Sequence, residues 1–113
     1  MKNEISSRLE RDVLIVTVEG KLTNEFPREL RLFVQQKVED GVKKMILHFN
    51  KVSYVNSTGL GEIVVIFTQL SKVGGEVVFL PSPQLASLFQ LTKLSRIVRV
   101  VTSVEEGLQL LTS

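Results

Sequence analysis

Three small hydroxyl and amide residues, Asn56, Ser57 and Thr58, stand in a row before the glycines Gly59 and Gly61. At the start of a helix, such side chains accept hydrogen bonds from backbone N–H groups that lack a partner within the helix. The same N–H groups, together with the positive end of the helix dipole, favour a bound anion. The segment therefore predicts either a capped helix start or a serine placed to carry a phosphate.

Ser57 is the residue on which this chemistry depends. A phosphate there would bring a charge of about −1.5 to −2. The helix dipole would contribute only about 0.3–1 kcal/mol, so the fold itself would change little. A partner docked over this helix start would have to bury the anion, at a much higher cost unless a cation met it. If Ser57 carries a phosphate and does not serve only the helix cap, the sequence predicts a protein contact that is switched at this residue.

The elements that hold this segment begin with a predicted hairpin. Its strands are residues 5–9 and the β-branched residues 13–19, joined by a polar turn. A helix follows, with Asn24 as the expected N-cap, Pro27 in its first turn and Gly41 at its end.

Strands and helices alternate through the rest of the chain. In order, these are a strand at 44–50, a helix at 59–73, a strand at 76–80, a short helix from residue 83, a strand at 97–101 and a final helix capped by Thr102 and Ser103. The order predicts one α/β domain over residues 1–113, with an N-terminal hairpin, a mixed and largely parallel sheet of about five strands, and four helices.

The helix at 59–73 has an apolar and a polar side. At about 100° per residue, its inward half holds Leu60, Ile63, Val64, Phe67 and Leu70, with Ile66 and Val73 at the border. The opposite side holds Thr58, Gly61, Val65, Thr68 and Lys72. An exposed valine among small residues beside Ser57 predicts a flat, mildly apolar docking surface, although single exposed apolar residues are also ordinary.

Composition argues against several classes of function. The chain has no cysteine and one histidine, His48, so neither thiol chemistry nor a multi-histidine metal site is expected. The net charge is +2 and the basic residues are dispersed, which argues against nucleic-acid binding. No apolar run has membrane-spanning length and no signal-peptide core is present, so we expect a cytoplasmic protein that is not inserted in a membrane.

Enzyme activity is not expected either. His48 lies in a predicted strand, away from Ser57, and a lone strand histidine is more often structural than catalytic. Gly59 and Gly61 form only G-x-G, because Val64 stands where a dinucleotide-binding loop would have its third glycine. No cofactor is predicted.

Four segments resemble the STAS domain, and in particular the stand-alone bacterial anti-sigma factor antagonists. Residues 52–61 (VSYVNSTGLG) are similar to the family signature, typically a hydrophobic residue followed by Asp-Ser-Ser/Thr-Gly-Leu-Gly. The other segments are residues 16–22 (VTVEGKL), 74–80 (GGEVVFL) and 88–94 (LFQLTKL), in the order of the family.

The resemblance implies a partner-switching role. Such proteins bind an anti-sigma factor, usually a small serine kinase, and thereby free a sigma factor. The kinase phosphorylates the signature serine, which ends binding, and a phosphatase restores it. On this chain Ser57 would be the phosphoacceptor, and Thr23, Asn56, Thr58 and Gly59 would shape the site. Our own candidates for the contact surface are Gly61, Val65, Thr68 and Lys72.

Three positions depart from the family pattern. The family usually has Asp at the position of Asn56, often has Asp at that of Thr23, and commonly has Asp at that of His48. Asn and Thr can still form hydrogen bonds, but they do not carry the negative charge of Asp. Two unit charges about 4 Å apart interact by roughly 4 kcal/mol at an effective dielectric near 20. Asn56 would therefore repel a phosphate less than Asp, and help less to orient the serine or hold a kinase-bound cation. We expect slow phosphorylation of Ser57, or none, with partner binding retained.

Two alternatives stay open at this stage. The chain could be a STAS-like accessory subunit that binds another protein complex without phosphorylation. The corner formed by Thr23, Asn56 and Ser57 could also bind a small ligand or nucleotide.

Overall fold

The computed structural model describes residues 2–112, and its elements follow the predicted order. In chain order they are β1 (Glu4–Glu10), β2 (Val13–Leu22), α1 (Phe26–Glu39), β3 (Lys44–Val55), α2 (Ser57–Lys72), β4 (Glu76–Pro81), α3 (Pro83–Leu91), a 3₁₀ turn (Leu94–Arg96), β5 (Arg99–Val100) and α4 (Val104–Thr112).

The five strands form one sheet in the order β1-β2-β3-β4-β5. β1 and β2 are antiparallel and the other neighbours are parallel. The hairpin turn requires the left-handed backbone of Arg11, with φ of 59°. This mixed sheet with four helices confirms the predicted fold class. Because β2, β3 and β4 are parallel, their carboxyl ends meet at one edge of the sheet.

Helices cover both faces of the sheet. α1, α2 and α3 pack on one face, where Phe79 contacts Phe49 and Phe89 with ring centroids 4.7 and 4.9 Å apart. α4 packs on the other face, over a smaller cluster. A Cβ at Gly107 would lie 2.9 Å from Cδ1 of Ile46, so α4 approaches the sheet closely because this position is glycine. No helix within residues 2–112 has the length and apolarity that a bilayer crossing requires.

Two predicted boundaries were wrong around the sheet. β3 continues past residue 50 to Val55, because its backbone stays paired with β2 while several of its side chains turn to solvent. β5 contains only Arg99 and Val100, and Ile97, predicted to begin this strand, is 71% exposed. Ile97 instead closes the preceding 3₁₀ turn, where its backbone N–H donates to the carbonyl of Leu94 over 3.0 Å.

The first two helices also correct the sequence analysis. Asn24 is not the N-cap of α1: it has a left-handed backbone, with φ of 56°, and the cap position falls on Glu25. On α2, Ile66 is fully buried and not at the border, whereas Val64 is only half-buried. The buried side of α2 is therefore shifted around the helix axis from the predicted position, because α2 packs against α1 as well as against the sheet.

Candidate functional site

The predicted site lies where β2 and β3 end and α2 begins. Leu22 pairs with Val55, and the backbone N–H of Asn56 donates to the carbonyl of Leu22 over 3.3 Å. Thr23 directly follows Leu22, so the fold brings it to the same edge as Asn56 and Ser57. The parallel pairing of β2 with β3 thus assembles the corner from two distant parts of the chain.

Asn56 caps the helix. Its side-chain Oδ1 accepts a hydrogen bond of 2.8 Å from the backbone N–H of Gly59. The helix therefore begins at Ser57, two residues earlier than predicted. Ser57 and Thr58 occupy its first turn and are exposed to solvent. Since the cap is supplied by the amide of Asn56, the hydroxyl of Ser57 lies at the surface in the first turn.

The two glycines of the signature differ in what surrounds them. A Cβ on Gly59 would lie 2.6 Å from the backbone oxygen of Leu22 and 3.2 Å from Cγ1 of Val55. Gly59 therefore allows the first turn of α2 to rest on the end of β2. A Cβ on Gly61 would meet no atom within 4 Å among the described residues, and Gly61 is exposed. Intrachain packing accounts for Gly59 but not for Gly61.

The outer side of α2 carries the predicted contact residues. We call Gly61, Val65, Thr68 and Lys72 the outer stripe; all four are exposed, Val65 to 37%. From Ser57 to Lys72 the helix rises about 22 Å. Gly61 and Val65 are therefore near Ser57, whereas Thr68 and Lys72 lie toward the other end of the helix, where both line a separate cavity.

The charges in the first two turns of α2 contribute to the electrostatics of the helix start. The first turn of α2 has no acidic residue. Glu62 follows in the second turn, and its carboxylate binds Nε of Arg31 on α1 at 2.9 Å, with both side chains mostly buried. The ion pair offsets the charge of Glu62 and fixes α2 to α1. The positive end of the helix dipole at Ser57 is therefore not offset by an acidic residue in the first turn of α2.

His48 lies on the same face of β3 as Ile46, the face that α4 partly covers, and is half-buried. Burial lowers its pKa below the usual 6.5, and the charges of Arg8 and Lys51 lower the pKa further. His48 pairs with Thr17 of β2, whereas Val55, at the end of β3, pairs with Leu22, five residues further along β2. Five strand residues span about 17 Å, which separates His48 from Ser57.

Tyr54 is a surface residue that the sequence analysis did not select. It pairs in register with Lys21, directly before the end of β3, and is 55% exposed. Exposed aromatic side chains are enriched in protein interfaces. Val52 and Val55 on the same strand are buried. Because the pairing of β2 with β3 is irregular here, the simple alternation of a strand does not predict that Tyr54 is exposed.

Comparison with known proteins identifies the family. Residues 4–107 match the STAS domain family, and the chain belongs to it. A relative from Thermotoga neapolitana, named as an anti-sigma factor antagonist homologous to TM1081, is 27% identical over 104 residues, which cover 90% of this chain and 92% of that protein.

Solved structures share the fold at low sequence identity. The crystal structure of a Thermotoga maritima protein, named as an anti-sigma factor antagonist, superposes with a TM-score of 0.90 at 24% identity, covering 96% of this chain and 95% of that one. The Bacillus protein SpoIIAA in its phosphorylated form gives a TM-score of 0.72 at 21% identity, with 96% and 97% covered. These similarities establish the same architecture.

Proposed function

We propose that this chain is an anti-sigma factor antagonist that binds an anti-sigma factor of the serine-kinase type through the start of α2. Phosphorylation of Ser57 ends the contact, and a serine phosphatase restores it. The observation that supports this most directly is the placement of Ser57, exposed in the first turn of a helix that Asn56 caps. The STAS family and the names of its relatives supply the class of partner. The proposed site of action is the cytoplasm, where sigma factors meet RNA polymerase.

The docking surface comprises Ser57, Gly61 and Val65, with Tyr54 at its margin. Gly61 supports this assignment because a Cβ there would meet no described atom within 4 Å, and the absence of a side chain lets a partner approach the helix backbone closely. Thr68 and Lys72 extend the outer stripe away from Ser57. A phosphate on Ser57 would place a charge of about −1.5 to −2 inside such an interface. An unpaired buried charge of this kind disrupts binding far more than it disturbs the helix.

Thr23, Asn56, Thr58 and Gly59 shape this site. Asn56 and Gly59 set the helix start through the cap and the contact with Leu22. Thr23 lies at the end of the neighbouring strand. Because Asn56 carries no charge, it orients a kinase-bound cation less well than Asp would, and we propose that phosphorylation of Ser57 is correspondingly slow.

Reconstitution with a purified serine-kinase anti-sigma factor tests the proposal. The wild type and Ser57→Ala should bind with similar affinity, whereas Ser57→Asp should bind much more weakly. Incubation with ATP should phosphorylate the wild type but not Ser57→Ala. Thr58→Ala is the matched control, because it removes the adjacent hydroxyl and should leave both results unchanged. Equal binding of Ser57→Asp and the wild type would contradict the switch.

A second candidate is an accessory subunit that binds another protein complex without phosphorylation. It is favoured by Asn56 and Thr23, which lack the negative charge that the family often places there. The two functions differ in one result: for an accessory subunit, no kinase incubation phosphorylates Ser57, and Ser57→Asp keeps the partner.

A further inference from the structure

A cavity of about 470 Å³ lies at the edge of the sheet, by the end of α2 that is remote from Ser57. Its walls include Phe67 and Lys72 of α2, Val77 of β4, Arg99 of β5 and Leu111 of α4. Since α2 and α4 pack on opposite faces, the cavity is a notch in the sheet edge between two helices.

The notch exists because β5 is too short to cover β4. β4 has six residues, and β5 pairs only with Val78 and Phe79. The first residues of β4, Glu76 and Val77, are paired with β3 on one side but have no partner in β5 on the other. A strand placed in the notch would continue β5 along β4 and complete this edge of the sheet.

The surroundings of the notch are apolar and basic. Ile97 lines it and is 71% exposed. Lys72 and Arg99 contribute cations, and Glu76 is the single acidic residue among the described residues that line the notch. Residues 77–104 contain no aspartate or glutamate, whereas three basic residues occur between positions 93 and 99. This surface therefore favours an occupant that carries both carboxylates and apolar side chains.

We propose that the notch binds an extended segment of a protein partner, which adds a strand along β4 and presents alternating acidic and apolar side chains. Addition to a sheet edge satisfies the backbone of an extended peptide, and the side-chain positions then select its sequence. On the α2 face of the added strand the apolar side chains contact Phe67, and on the α4 face the carboxylates lie beside Arg99. This contact is separate from Ser57 and does not depend on the proposed switch.

The experiment is a titration of the ¹⁵N-labelled full chain with an acetylated and amidated hexapeptide of alternating glutamate and valine. We expect saturable amide shifts at residues 75–78 and 97–100, and no such shifts with a hexapeptide of alternating lysine and valine. Arg99→Gln should weaken the acidic peptide about threefold to fivefold, as removal of one partly exposed charge pair does. Arg28→Gln, which removes an exposed charge from α1, should leave the affinity unchanged.

Three results would overturn the proposal. The first is the absence of amide shifts in the notch at millimolar concentrations of the acidic peptide. The second is binding of the lysine peptide with the same affinity as the acidic peptide, and the third is an affinity of Arg99→Gln for the acidic peptide equal to that of the wild type. Two further measurements address other occupants. Binding to phosphatidylglycerol vesicles that Arg99→Gln abolishes, without peptide binding, would make the notch a membrane contact. Concentration-dependent shifts of the same amides without peptide would make it an interface between two copies.

Discussion

Replacing Gly61 by alanine should stabilise the fold and weaken partner binding at the same time. Gly61 lies in the exposed part of α2, and a Cβ there meets nothing within 4 Å. Alanine is favoured over glycine in a helix by about 0.8–1 kcal/mol. For a chain of 113 residues, a gain of 1 kcal/mol raises Tm by about 4 °C.

Gly59→Ala is the matched control, since it makes the same change two residues earlier. Its Cβ would lie 2.6 Å from the backbone oxygen of Leu22, which belongs to a paired strand and has little room to move. Overpacking of this kind costs about 1–3 kcal/mol, more than the gain in helix propensity. Gly59→Ala should therefore lower Tm, while Gly61→Ala raises it.

Thermal unfolding followed by far-UV circular dichroism measures the change in Tm, and calorimetric titration with the anti-sigma factor measures the change in affinity. If the partner packs against Gly61, the added methyl group should reduce affinity about tenfold, which corresponds to about 1.4 kcal/mol. A Gly61→Ala protein that is more stable and keeps full affinity would remove Gly61 from the docking surface. A Gly61→Ala protein that is less stable would refute the packing argument itself.

Three further predictions concern Asn56 and His48. Asn56→Asp should raise the rate at which the kinase phosphorylates Ser57 while the cap is kept, measured as phosphate incorporation over time; a fast wild type that the change does not affect would refute our account of Asn56. Asn56→Ala removes the acceptor for the N–H of Gly59 and should lower the free energy of unfolding by about 1 kcal/mol, measured by urea unfolding, and an unchanged value would mean that the cap contributes nothing. Because the pKa of His48 is lowered in the folded chain, the unfolded chain binds the proton more readily, and the free energy of unfolding should fall as the pH drops from about 7 to about 5.5. Urea unfolding at the two pH values should show a smaller fall for His48→Gln than for the wild type. An identical fall in both proteins would contradict this prediction.

The order of the elements was predictable because each depends on local pattern. Buried β-branched strands and the glycines at their ends specify alternation, and alternation specifies the parallel sheet. The corner of the site was predicted from the resemblance to the family, and the parallel sheet accounts for it: Leu22, directly before Thr23, pairs with Val55, directly before Asn56, although 33 positions separate the two paired residues.

The remaining features depend on contacts between distant segments. Nothing in the sequence around Ile66 indicates that α1 rotates the buried side of α2 toward it. Gly59 and Gly61 look alike in the chain, and only the position of Leu22 reveals that one is needed for packing. The brevity of β5 was also hidden, because residues 97–101 are apolar enough for a longer strand and the sheet pairs only two of them.

The exposed Tyr54 provides an intrinsic fluorescence probe of the site. The protein has one tyrosine and no tryptophan. Apart from the weak emission of phenylalanine, its fluorescence therefore comes from the single ring of Tyr54, close to the start of α2. That ring is 55% exposed in the folded chain, and unfolding should therefore alter its emission only modestly. A partner that covers Tyr54 would change its environment completely, so the emission follows docking at the site much more closely than it follows unfolding.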